Sequence, residues 1–148
     1  MREAADRWRA VGFRSPALNR SWELMPHLGF DYDTSYPDSD PHGPQGGGCC
    51  AWWPYFNGDL VELPVTMPQD HTVFEILGQP DESLWVEKIE FLRERGGMAL
   101  VLTHPDYLPE GSPAFAAYER LLARYAEDET AWKPLPREVA RWWRERIR

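Results

Sequence analysis

Apolar positions along this chain fall into short clusters, and the spacing inside each cluster changes from one to the next. Between Ser83 and Arg95, Trp85, Ile89 and Leu92 recur on one face of a helix that Gly96-Gly97 closes. A second stripe, Phe115, Tyr118, Leu121, Leu122 and Tyr125, follows Ser112 as helix cap and Pro113 at the first turn. Pro136 begins a final helix through Val139, Trp142 and Ile147, and Ala4 to Ala10 reads as the tail of another. Asn19-Arg20-Ser21 opens a helix whose apolar contacts are Trp22, Leu24, Met25 and Leu28. Pro26 shortens or kinks it and Gly29 ends it.

Other clusters have the period of strands. Val11-Gly12-Phe13-Arg14 is stopped by Ser15-Pro16, Phe30 to Ser35 alternates, and Leu60 to Val65 carries Pro64 near its end. Met98 to Thr103 is a continuous apolar run, the pattern of a buried parallel strand. Between the second and third of these, Tyr36 to about Asn57 reads as a long loop rich in Pro, Gly and Asp, a length that is usually functional. Strands alternating with helices predict right-handed βαβ units, an α/β fold with about four parallel strands in a single domain over residues 1–148.

Charge and composition narrow the partners. The 148 residues carry a formal net charge of -8, and their arginines are interleaved with acids at helical spacing, which excludes a nucleic-acid surface. No run of apolar residues is long enough to span a membrane, and the first residues lack the apolar core of an export signal, so a cytoplasmic setting is expected. Cys49 and Cys50 are adjacent and make no disulfide framework. They read as small apolar packing residues beside Gly46-Gly47-Gly48.

In parallel sheets ligands sit at the carboxyl ends of the strands. Here those ends carry Arg14, Asp33, the Asp70-His71 step and His104. His104 leaves an apolar run at the rim of the core, where an imidazole can serve as general acid or base, or merely bond a loop carbonyl. Arg14 beside Pro16 can hold a carboxylate by a bidentate pair or make a structural ion pair. Asp33 can orient a histidine or cap a turn. Asp70 fits a helix cap, and with His71 it could also bind a metal or a sugar hydroxyl. His27 and His42 have no partner at ligand spacing. Trp52-Trp53-Pro54-Tyr55 in the long loop would suit stacking on sugar faces.

Four of these segments, in this order, resemble the polysaccharide deacetylase family of divalent-metal hydrolases. Gly12-Phe13-Arg14-Ser15-Pro16 is similar to its arginine-proline motif, and Phe30 to Ser35 to the strand written Y-D-S-S. Leu60-Val61-Glu62-Leu63-Pro64 is similar to the E-L-P strand, and Leu102-Thr103-His104-Pro105 to the closing L-x-H motif. The resemblance implies a distorted (β/α) barrel that removes acyl groups from amino sugars or hydrolyses related carbon–nitrogen bonds. By that analogy His104 is the general acid, Arg14 positions the base, and Asp33, or else Asp38 or Asp40, tunes His104. Leu102 lines the acyl pocket, and Pro16, Tyr36, Trp53 and His71 complete the expected substrate-binding residues.

The family's aspartate pair and H-x-x-x-H ligands do not precede Arg14, and no H-x-x-x-H occurs anywhere. The expectation is therefore a partial barrel, the C-terminal half of the family's fold, with the ligands of its divalent metal (zinc by preference) absent from this chain. Such a chain would be inactive alone and would need the N-terminal half or a partner chain. Its sheet edge at Val11 to Arg14 would lie open and favour homo-oligomers or aggregation. A non-catalytic carbohydrate-binding or interaction module, or a small α/β domain whose match is accidental, are the alternatives.

Overall fold

A computed structural model describes residues 2–38 and 51–147. Its centre is a four-stranded open sheet in the order β1-β2-β4-β3. Strands β1 (Gly12–Phe13), β2 (Tyr32–Asp33) and β4 (Leu60–Glu62) run parallel, and β3 (Tyr55–Asn57) is antiparallel to β4. Helix α1 (Arg2–Trp8) precedes the sheet, and α2 (Ser83–Glu94), α3 (Pro113–Glu127) and α4 (Pro136–Ile147) follow it. The fold is thus α/β with a mostly parallel open sheet.

Two apolar clusters hold these elements together. Val61 and Leu63 alternate onto one face of the sheet, where Val139 and Ala140 of α4 cover them. Arg144 ties α4 to the sheet by donating to the Asp31 carbonyl at 2.7 Å. The second cluster gathers Met67, Val73, Leu84, Trp85, Ile89, Leu92 and Leu121, and so joins α2 and α3 to the segment leaving β4. Ser112 caps α3 as expected, its Oγ accepting from Phe115 N at 3.0 Å.

The expected fourth parallel strand, Met98 to Thr103, is not part of the ladder. It is held through a side chain: Thr66 Oγ1 donates to Met98 O at 2.6 Å and accepts from Leu100 N at 3.0 Å. Met67 N adds one backbone bond to Leu100 O. A hydroxyl stands where a neighbouring strand would, and the run is only half-buried. The sheet's fourth strand is β3, inside the stretch expected to be loop. Gly58, with φ 61°, turns β3 into β4.

The helix expected after Asn19 is reduced to a 3₁₀ turn, Met25–Leu28, because Pro26 removes an amide donor there. Gly29 ends it in the left-handed conformation at φ 73°, as read from the sequence. Trp22 and Leu24 are exposed, and so is Leu122 of the α3 stripe. Cys49, Cys50, His42, Asp40 and the three glycines before Cys49 lie outside the described residues. Among the described residues no helix is long and apolar enough to cross a membrane.

Strand β1 borders the sheet and has a strand neighbour on one side only among the described residues. The Tyr32 ring lies across it. A Cβ on Gly12 would stand 1.9 Å from that ring, so only glycine fits under the tyrosine. Gly12→Ala is therefore expected to lose about 1–3 kcal/mol through overpacking. Urea unfolding checks this, and an unchanged midpoint would mean that the Tyr32 ring moves away at no cost.

Candidate functional site

The chain leaving β4 runs through buried Thr66 and Met67 to Asp70, and then turns into a π-helical segment, His71–Ile76. Asp70 is 0% exposed, and both of its oxygens are occupied. Oδ1 accepts from His71 N at 2.8 Å, the cap expected from sequence, and also lies 2.8 Å from His104 Nδ1. Oδ2 accepts from His104 N. A carboxylate can only accept, so Nδ1 carries the proton and Nε2 is the ring nitrogen left for other partners. The side chain of His104 is 39% exposed.

Tyr107, in the 3₁₀ turn Pro105–Tyr107, completes this corner. Its ring stands edge-on to His104 at 5.6 Å and tilts against His71 at 4.6 Å. Aromatic packing on one side and Asp70 at Nδ1 fix the imidazole plane. Tyr107 and the Asp70–His104 pairing were not read from the sequence. The signal available was the sequence His104-Pro105-Asp106-Tyr107, in which the proline turns the chain back on the histidine.

A second polar group lies at the ends of β1, β2 and β4. Arg14 Nε donates to Thr34 Oγ1 at 2.6 Å and to Thr34 O at 3.2 Å. Burial lowers the Arg14 pKa, and Asp33 and Glu62 oppose that by stabilising the cation. Asp33 Oδ1 accepts from the Ser35 hydroxyl at 2.7 Å, and Ser15 N donates to that hydroxyl at 2.8 Å. Glu62 Oε1 accepts from Tyr36 N at 3.0 Å. Just beyond this group Ala17 and Leu18 both take positive φ, 52° and 53°, a strained conformation for residues with a Cβ.

No hydrogen bond or ion pair joins Asp33 to His104 among the described residues. The carboxylate that meets His104 is Asp70 instead, while Asp33 is committed to Ser35 and faces Glu62 across the strand pair. Asp38, the alternative, accepts from Ala51 N. No hydrogen bond or ion pair joins His104 to Arg14 among the described residues. Pro16 is exposed in the turn Pro16–Leu18, and Leu102 is half-buried two residues before His104. Tyr36 stands edge-on to Trp22 at 6.0 Å, beneath the Arg20 guanidinium. Trp53 lies apart from His104, 6.3 Å from Trp143, and lines an apolar cavity of about 740 Å³ with Leu100, Tyr125, Trp132 and Trp142. His71 alone of the expected binding residues reaches the His104 corner.

Protein-family models, curated proteins and solved structures gave no match. The reading of this site therefore rests on its geometry and on the sequence motifs. Among the described residues no three His, Cys, Asp or Glu side chains converge as a ligand set. The divalent ion that the resemblance implies does not fit these residues alone, and no step is routed through it.

Proposed function

We propose that this chain supplies the general-acid side of a polysaccharide deacetylase-like hydrolase that removes acyl groups from amino sugars, a reaction on non-peptide carbon–nitrogen bonds. The observation that supports the reading is the buried Asp70 carboxylate that holds His104 by Nδ1 and by its own backbone amide. In this reading water adds to the amide carbonyl, the carbon–nitrogen bond of the adduct breaks, and the departing amine takes its proton from His104 Nε2. The donor is the imidazolium form of His104, in which Asp70 accepts from Nδ1–H and Nε2 carries the proton that leaves. Leu102 would line the acyl pocket, and His71 and Tyr107 would flank the sugar.

The attacking water and its base belong to a second component, covalent or a partner chain, which would continue the sheet as a barrel at the β1 edge. Acetate release from N-acetylchitooligosaccharides tests the proposal. The chain alone is expected to be inactive, and the complex isolated from its native cells active. His104→Gln in that complex is expected to lower kcat about 10²–10⁴-fold. Sugar binding without hydrolysis in both preparations would overturn the enzyme reading and leave a binding module.

A further inference from the structure

Asp33 and Glu62 are paired residues of adjacent parallel strands, so their side chains rise from the same face of the sheet. That face is opposite to the one α4 covers through Val61 and Leu63. Asp33 and Glu62 are each 1% exposed. Tyr55 is in register with Glu62 on the other side, and its ring stacks with Trp22, which also meets Tyr36. Two buried carboxyl groups thus lie side by side near aromatic rings.

The hydrogen bonds around them leave one gap. Asp33 Oδ1 has the Ser35 hydroxyl and Glu62 Oε1 has Tyr36 N, but buried Asp33 Oδ2 has no partner. An acceptor left bare at such a place is unfavourable, and two neighbouring anions more so. One proton removes both penalties. We propose that Asp33 and Glu62 hold a single proton between them, carried by Glu62 and donated to Asp33 Oδ2, and that this pair positions the strand end 34–36 on which Arg14 is seated.

The surroundings agree with where that proton sits. Desolvation first, and then the charge of Asp33, push the Glu62 carboxyl up to about 9, against the pull of the Tyr36 and Ser35 amides. The other ionisable groups facing the pair are Arg14 from β1, Tyr36 and Asp38 beyond β2, and Tyr55 from β3. Burial and the nearby carboxylates raise both tyrosines, so neither adds a charge at neutral pH. Arg14 is then balanced by one carboxylate instead of two. Its Nε stays on Thr34, whose neighbours Ser35 and Tyr36 are fixed by the pair.

Carbon-13 NMR of glutamate-labelled protein reads the proton directly. The Glu62 carboxyl is expected to be protonated at neutral pH and to titrate at about 9. Between the ordinary glutamate value and about 9 the folded chain holds a proton that the unfolded chain has lost, so stability is full on the acid side and falls as pH rises through that window. Glu62→Gln keeps a donor toward Asp33. It should retain the Arg14 Nε–H resonance and abolish this alkaline decline in urea midpoint, which aspartate at the same position should not do. Asp33→Asn offers Glu62 an amide donor and should let it ionise at neutral pH, a readout that stands even where E62Q folds poorly. A Glu62 carboxyl ionised at neutral pH in the native protein, or an E62Q variant with the wild-type alkaline decline, overturns the proposal.

Discussion

Replacing Trp85 with alanine is expected to cost about 3–5 kcal/mol of folding stability, a large share of what a domain of this size holds. Trp85 is 0% exposed and meets Phe74 edge-on at 5.2 Å and Tyr118 at 6.4 Å. Its Nε1–H donates to Pro68 O at 2.7 Å. One side chain therefore joins α2, α3 and the segment that ends in Asp70. Alanine leaves a cavity among all three and also strands a proline carbonyl. Trp85→Phe keeps most of the volume and loses only the hydrogen bond, for about 1–3 kcal/mol. Urea unfolding followed by circular dichroism separates the two. A Trp85→Ala midpoint near the wild-type value would show that these elements do not share one core.

The second large effect is expected at Asp70. Alanine there removes the acceptor of two backbone amides and the His104 ring at once, and a loss of about 2–4 kcal/mol follows from the unpaired buried donors. Asparagine is the sharper test because it keeps the shape. Its Nδ2 faces an N–H where an oxygen stood, and the His104 ring must turn or change tautomer. Imidazole nitrogen-15 shifts should show Nδ1 protonated in the native protein and a mixed state in Asp70→Asn. If the proposed complex hydrolyses N-acetylchitooligosaccharides, the same variant is expected to lose about as much rate there as His104→Gln, on the order of 10²–10⁴-fold. Native tautomer and rate in Asp70→Asn would confine Asp70 to its helix-cap role.

The helices were legible because their signals are local. Ser112-Pro113 and the stripe behind it, or Gly29 after its apolar run, act within a turn or two of themselves. Three of the expected strands lie in the sheet and pair in parallel as read, but the fourth does not join the ladder and β3 lies where a loop is expected. Met98 to Thr103 has the composition of a buried strand, and nothing within it reveals that Thr66 stands where a neighbouring strand would. Glu62 was read only as part of a motif. Its position in the apolar run Leu-Val-Glu-Leu-Pro-Val was the hint that a carboxyl group is buried, yet its partner Asp33 comes from a distant strand. From sequence Asp70 reads as a cap, and Asp33 as a turn cap or a partner of the histidine. In the structure Asp70 makes both the cap and the His104 contacts, because the turn after Thr103 delivers the His104 backbone and ring to one carboxylate.

The mixed direction of the sheet also sets an expected order for the events of folding. Among the described residues only β3 and β4 are joined by a tight turn, closed by Gly58 and Asp59, so this hairpin has the smallest entropy of closure. The pairings of β2 with β4 and of β1 with β2 each close a long stretch of chain and gain little until a template exists. The hairpin is that template. Substitutions in Tyr55–Glu62 should slow refolding, while those at Gly12 should mainly hasten unfolding, since β1 adds last.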